Sequence, residues 1–142
     1  MLTSRLPLAG LIASILLLAI TGNMFSASFL AIGAQAVAVA VNVWARRVFP
    51  HDAFRIEAAP AGTSTIRRGP YAFVRHPMYA SALLFLWAGI VTHLKLWTVG
   101  LGVANTTLVV ARVVAEERLL RVRYADYSEY ARTTKALLPF IV

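Results

Sequence analysis

Apolar residues run along this chain in long unbroken stretches. Residues 6–45 contain no charged side chain, about twice the length that one helical crossing of a bilayer requires. The run LPLAGLIASILLLAI is interrupted at Thr21-Gly22-Asn23, a turn signal, and resumes as SASFLAIGAQAVAVAVNVW. This predicts a helical hairpin over Leu2–Thr21 and Phe25–Ala45. A third run from Met78 to Leu94 and a fourth from Leu96 to about Ala115 meet at His93, Leu94 and Lys95, which predicts a second hairpin. Pro77 falls in the first turn of the third helix, where proline is tolerated. The fourth helix is expected to continue beyond a bilayer through VVAEERLLRVRYADY. Arg5 ahead of an apolar stretch is also how a secretory signal begins. The small-residue cleavage pattern is missing, so the stretch is read as a resident helix.

Composition supports the same class. Of 142 residues, 59% are hydrophobic and 14% charged, and the mean hydropathy is +0.70; soluble domains lie nearer about 45–50% and about 25%. The expectation is one all-α integral membrane domain over residues 1–142, with about four transmembrane helices in two hairpins. Within it, 1–45 form the N-terminal hairpin, and 46–142 hold a loop, the second hairpin and a C-terminal helical arm. Cysteine is absent, which removes disulfides, thiolate metal sites and a Cys nucleophile together. The net charge is +8. In a membrane protein the expected counterions are lipid headgroups rather than nucleic acid.

Charge also orients the chain. The turn after the first helix has no Lys or Arg, and the turn after the third has Lys95 alone. Arg5, the 46–76 segment and the arm from Arg112 to Lys135 carry every other cation, so both termini and the long loop are expected in the cytoplasm. Trp44 and Trp97, at predicted span ends, read as interface anchors. Arg46-Arg47 and Arg67-Arg68 read as topology and headgroup contacts.

The loop RRVFPHDAFRIEAAPAGTSTIRRGPYAFVRHP is long for a connector and holds four of the six prolines. Proline fixes φ and removes a donor, so the expected path is stiff and irregular, and long loops on a rigid scaffold tend to carry function. Its aromatic residues Phe49, Phe54, Tyr71 and Phe73, with Tyr79 just beyond, suggest folding back onto the membrane surface. Arg112 and Glu116, four apart on the fourth helix, share a face; Glu117 points about 100° away. An arginine at the edge of an apolar span is either a functional group or a snorkelling side chain paired on a solvated helix end.

The stretch GPYAFVRHPMY (Gly69 to Tyr79), a hairpin's length of chain, then RVVAEERLL (Arg112 to Leu120) and YSEYARTTKALLPFI together resemble the isoprenylcysteine carboxyl methyltransferase family. That family is part of the membrane methyltransferases that include phospholipid N-methyltransferases. The resemblance covers about residues 63–141 and is to minimal, prokaryotic-type members. It implies an S-adenosylmethionine-dependent enzyme of the prokaryotic inner membrane, acting on a lipophilic small molecule, lipid or lipidated acceptor. It further implies that His76, Pro77, Met78, Tyr79, Tyr71 and Glu116 contact the cofactor, with backbone contacts from Thr63, Ser64, Thr65 and Ile66. Arg112 is implied to face the substrate, and Arg75 to hold the site or its acceptor. The chain departs from the family at Ser81, where glycine is common, at Tyr124-Ala125 for Phe-Gly, and at Thr133 and Lys135 for the eukaryotic Arg and Pro.

The residue chemistry agrees with this. The cofactor is zwitterionic at one end and carries a sulfonium and an adenine, which call for an anionic group, hydrogen bonds and aromatic surface. A carboxylate acceptor is already ionised, so transfer to it needs placement and charge steering, a role that guanidinium groups suit. An amine acceptor has to lose a proton, with Glu117 or His76 as candidate bases. A catalytically silent scaffold of the same fold is the remaining alternative. His51 and His93 match no motif, and no spacing of His, Asp and Glu suggests a metal. Gly100-x-Gly102, inside a span, reads as helix packing.

Overall fold

The computed structural model describes residues 2–48 and 65–137. Pro50, His51, Pro60, Thr63, Ser64 and the closing Leu-Pro-Phe lie outside the described residues. Among the described residues every regular element is a helix, with no strand. In order they form α1 (Leu2–Ile20), α2 (Phe29–Val48), a 3-10 turn at Gly69–Ala72, α3 (Pro77–Ile90), α4 (Leu96–Arg123) and α5 (Tyr127–Thr133). One isolated bridge pairs Val74 with Lys135.

Two helices, α2 and α4, are long and apolar enough to cross a membrane. Only 22% of the apolar stretch of α2 and 28% of that of α4 is buried, whereas the core helix of a soluble protein is mostly covered. The apolar parts of α1 (Leu8–Ile20) and α3 (Pro77–Ile90) are shorter. At 28 residues, α4 is roughly 42 Å long, against a hydrocarbon core of about 30 Å. The excess carries the acidic pair at its C-terminal end.

Helix ends fall where local chemistry puts them, and differ from the hydropathy limits. The turn after α1 extends further than expected, because Thr21 Oγ1 donates back to Leu17 C=O at 2.7 Å and Asn23 Nδ2 to Thr21 C=O at 2.7 Å. Phe25 therefore lies outside α2, which begins at Phe29 after a serine turn in which Ala31 N–H donates to Ser28 Oγ at 3.5 Å. Similarly, α3 stops at Ile90 rather than Leu94. Thr92 Oγ1 donates to Gly89 C=O at 2.8 Å, and Thr98 Oγ1 to His93 C=O at 2.9 Å. Pro77 does occupy the start of α3, after His76.

α2 packs along α3, and both α1 and α3 pack on α4. Leu18, Met24, Leu86 and Ile90 form one buried cluster, and Leu11, Val109 and Val113 a second that touches Tyr79, Ala82 and Leu83. Asn105 Nδ2 donates across to Ser14 Oγ at 2.8 Å, tying α4 to α1. Lys95 Nζ donates to Asn23 Oδ1 at 2.9 Å, so the two tight turns lie side by side at one end. The described part of the loop, residues 65–76, and the C-terminal arm lie at the other. There the chain around 74–76 runs beside the C-terminal segment: Arg75 N–H donates to Lys135 C=O at 2.8 Å and His76 N–H to Ala136 C=O at 3.0 Å. Gly69 is required where the loop crosses α2. Its φ is +62°, and a Cβ there would come within 2.6 Å of Val48 Cγ2.

Candidate active site

Three elements converge on the acidic pair of α4. The first is α4 itself, whose one-turn spacing brings Arg112 Nε to Glu116 Oε1 at 2.8 Å. The second is α3, from which Tyr79 Oη donates to the same Glu116 oxygen at 2.8 Å. Arg112 Nε also donates to the Tyr79 hydroxyl, and its guanidinium lies 5.7 Å over the Tyr79 ring. The third is the segment leading into α3, which supplies Arg75 and His76. Arg75 Nε donates to Glu117 Oε1 at 2.7 Å. His76 Nε2 lies 3.4 Å from that same oxygen without hydrogen-bond alignment, and His76 Nδ1 lies 3.8 Å from Glu116 Oε2. The His76 and Tyr79 rings stack at 5.9 Å.

The two carboxylates are thus placed in different environments. Glu117 is 14% exposed and held by Arg75, with Arg121 at 3.7 Å on its other oxygen. Glu116 is 26% exposed, and its Oε2 has no protein group closer than His76 among these ion pairs. Three guanidinium groups face two carboxylates. Two buried polar atoms of the cluster, Arg112 NH1 and His76 Nε2, have no hydrogen-bond partner within the protein. Unmade hydrogen bonds of this kind cost stability, so each calls for an explanation.

Arg75 is committed further. Its NH1 donates to the carbonyls of Ala131, at 3.0 Å, and Thr134, so the side chain caps the C-terminal end of α5 while it holds Glu117. Of the remaining expected site residues, Thr65, Ile66 and Tyr71 lie on the strap, the segment before α3, and Pro77 and Met78 at the start of α3. Thr65 is gripped by Asp126 at the α4–α5 corner, which accepts from its Oγ1 at 2.7 Å and its N–H at 3.4 Å. Ile66 lies between Thr65 and Arg67, and Arg67 donates to the same carboxylate at 3.1 Å. Tyr71 is buried, and its carbonyl accepts from Tyr130 Oη at 2.6 Å. Pro77 is buried at the start of α3, and the Met78 carbonyl accepts from Ser81 Oγ at 3.0 Å.

Asp126 and Thr134 were given no role by the sequence, and Tyr130 entered only as part of the C-terminal stretch that carries the resemblance. Asp126 stands at the N-cap position of α5, but makes no cap hydrogen bond; its carboxylate is spent on the strap. The hydrogen bond from Thr65 and the neighbouring Arg67 hold its carboxyl below the usual aspartate range, against a smaller opposing effect of desolvation. Burial pushes the phenols of Tyr71 and Tyr130 up to about 12 and raises that of Tyr127 as well, so each stays protonated at neutral pH.

Residues 12–127 match the family model described as phospholipid methyltransferase. A 75-residue stretch, 52% of this chain, is 35% identical to the cobalt-zinc-cadmium resistance protein CzcN of Cupriavidus metallidurans. That stretch covers 35% of the other protein, so the match spans about a third of the curated relative's length. No solved structure matches.

Proposed function

The chain belongs to the phospholipid methyltransferase family, and from that premise we propose that it transfers a methyl group from S-adenosylmethionine to a lipophilic acceptor carrying a carboxylate. The observation that carries this reading is the Tyr79–Glu116–Arg112 cluster, where an anionic oxygen and unpartnered guanidinium N–H groups stand side by side. The cofactor supplies an electrophilic methyl on a sulfonium. Glu116 Oε2, the stacked His76 and Tyr79 rings and the backbone of the strap at Thr65 and Ile66 are the groups that would hold it. Thr63, Ser64, Tyr71, Pro77 and Met78 complete the proposed binding set. Arg112, through NH1, would draw the acceptor oxygen towards the site, since guanidinium matches a carboxylate or phosphate oxygen in geometry and charge. Arg75 would contribute by fixing Glu117 and the end of α5.

An amine acceptor is the second reading, favoured by the matched family's description. It requires a base. The candidate bases remain Glu117, which accepts from Arg75, and His76, whose Nε2 has no hydrogen-bond partner within the protein. In both readings the chain is proposed to cross a prokaryotic inner membrane four times, with both termini and the arginine-rich end in the cytoplasm.

The test is binding of S-adenosylmethionine to the purified chain in nanodiscs by calorimetry, beside Glu116→Ala and His76→Ala. It is followed by extraction of membranes incubated with methyl-labelled cofactor. Saturable binding lost in both variants supports the cofactor site, and label that mild alkali releases as methanol identifies a carboxyl ester. Alkali-stable label on an amine headgroup selects the second reading. No binding by folded protein overturns both.

A further inference from the structure

Tyr127 opens α5 and is 2% exposed. It packs with Tyr124 and Tyr130 against Leu120 and Ala131, and its ring meets the Tyr130 ring edge-on at 5.9 Å. The two phenols are used differently. Tyr130 Oη donates to the Tyr71 carbonyl at 2.6 Å. Tyr127 Oη is out of reach of solvent and has no hydrogen-bond partner among the described residues. Its neighbours on both helices place it at the Arg75–Glu117 pair. Leu120 lies one turn beyond Glu117 on α4. Ala131, one turn along α5 from Tyr127, gives its carbonyl to Arg75 NH1 at 3.0 Å. The phenol accordingly feels the charges of Glu117, Arg75 and Arg121. His76 Nε2, also buried and without a partner, lies 3.4 Å from a Glu117 oxygen. Two unpartnered buried groups, one from α5 and one from the segment before α3, therefore border the same carboxylate.

A hydroxyl buried in this way gives up its hydrogen bonds to water and gains none in exchange. Phenylalanine would fill the same space without that loss, so the hydroxyl serves something other than the fold. We infer that Tyr127 is a ligand-contacting residue, whose hydroxyl donates to an oxygen of bound S-adenosylmethionine, so that α5 forms one wall of the site. This rests on the methyltransferase reading above. Position selects the cofactor over the acceptor. Arg112 lies on the side of the acidic pair nearer the apolar part of α4, where a lipophilic acceptor enters. Tyr127 lies on the opposite side, against Leu120 and the C-terminal arm, where a water-soluble ligand enters. Burial raises the phenol's pKa, so Oη keeps its proton at neutral pH and remains a donor. Arg75 and Arg121 beside it favour an oxygen lone pair as its partner.

The experiment compares wild type, Tyr127→Phe and Tyr130→Phe as full chains in nanodiscs. Calorimetry measures binding of S-adenosylmethionine, and thermal unfolding is followed with and without it. Tyr127→Phe removes a hydroxyl that has no partner in the free protein, so its unfolding midpoint without cofactor should equal or exceed that of wild type. Its Kd for the cofactor should rise about threefold to tenfold, the size of one lost hydrogen bond. The rise in midpoint that the cofactor gives should shrink accordingly. Tyr130→Phe loses a hydrogen bond that is made, and should lower the midpoint instead. A lower midpoint for cofactor-free Tyr127→Phe overturns the inference, because the hydroxyl then serves the fold. An unchanged Kd overturns it too, as does a raised acceptor KM at saturating cofactor with the Kd unchanged, which moves Tyr127 to the acceptor. Equal binding by wild type and Tyr127→Phe fails this inference alone, whereas a wild type that binds no cofactor fails the methyltransferase reading with it.

Discussion

Arg75 and Glu117 lie 42 positions apart in the chain and meet through a 2.7 Å hydrogen bond between Nε and Oε1, each side chain at most 14% exposed. The same guanidinium caps the carbonyls at the end of α5. One side chain thereby joins the loop before α3, the cytoplasm-facing turn proposed for α4, and the C-terminal arm. A buried pair of this kind adds little net stability compared with an apolar pair, but removing one partner strands the other charge.

Arg75→Ala should therefore destabilise the protein by about 1.5–3 kcal/mol, the size of a lost hydrogen bond to a charged group, because Glu117 keeps only the more distant guanidinium of Arg121 at 3.7 Å. Arg75→Ala/Glu117→Gln should recover a substantial part of that loss, because the stranded charge is gone. Thermal or denaturant unfolding in one detergent measures both. An additive double variant would show that the two groups are not coupled.

Tyr79→Phe removes a hydroxyl that donates to Glu116 and accepts from Arg112. Hydrogen bonds to charged groups contribute about 1.5–3 kcal/mol, so cofactor affinity should fall by roughly tenfold to a hundredfold while the helical content stays unchanged. Arg112→Lys should act differently. It keeps the charge but loses the planar donor fork, raising the acceptor KM more than the cofactor Kd. Calorimetry and steady-state kinetics on the two variants separate these roles.

Much of the helical architecture was legible in the sequence, because long apolar runs and a charge-free stretch leave few alternatives. The helix ends were less so. Phe25 and Leu94 are as apolar as their neighbours, and they leave the helices because backbone bonds and the side-chain hydrogen bonds of Thr21, Asn23, Thr92 and Thr98 close turns beside them. The grouping of Arg75, His76, Tyr79, Arg112, Glu116 and Glu117 followed from motif resemblance, and the structure brings all six together. What Arg75 holds was not legible, since its partners on α5 depend on how the arm folds back. Asp126 was hidden for the same reason: an Asp before a short helix reads as a cap, whereas here it grips a residue 61 positions earlier.

That grip should be pH-dependent. The Asp126 carboxyl titrates lower in the folded protein than its ordinary value of 3.8. A depressed folded value means the contribution is complete above the unfolded value and is lost as pH falls through the folded one. Amide exchange at Thr65, Ile66 and Arg67 should stay slow at neutral pH and accelerate, beyond the intrinsic trend, below about pH 4. In Asp126→Asn the strap should be loosened at neutral pH already, with that acid step gone. A wild-type acid step that persists in Asp126→Asn assigns the titration to another group.

Gly100 and Gly102 are two residues apart on α4 and were expected to serve helix packing alike, yet their surroundings are opposite. Nothing lies within 4 Å of a Cβ built at Gly100, so Gly100→Ala gains helix propensity and should be neutral or stabilising by up to about 1 kcal/mol. A Cβ at Gly102 would meet Trp87 Cζ2 at 2.8 Å and Ile90 Cδ1 at 2.9 Å. The Trp87 ring cannot swing aside freely, because its Nε1 donates to Thr106 Oγ1 at 3.0 Å, and Ile90 is fully buried. Overpacking of this kind costs about 1–3 kcal/mol, so Gly102→Ala should lower the unfolding midpoint and push α3 away from α4. Trp87→Phe in the Gly102→Ala background shortens the ring and releases the Thr106 hydrogen bond. It should therefore restore part of the loss, while on its own it destabilises. Equal midpoints for Gly100→Ala and Gly102→Ala would mean that α3 and α4 do not meet at Gly102.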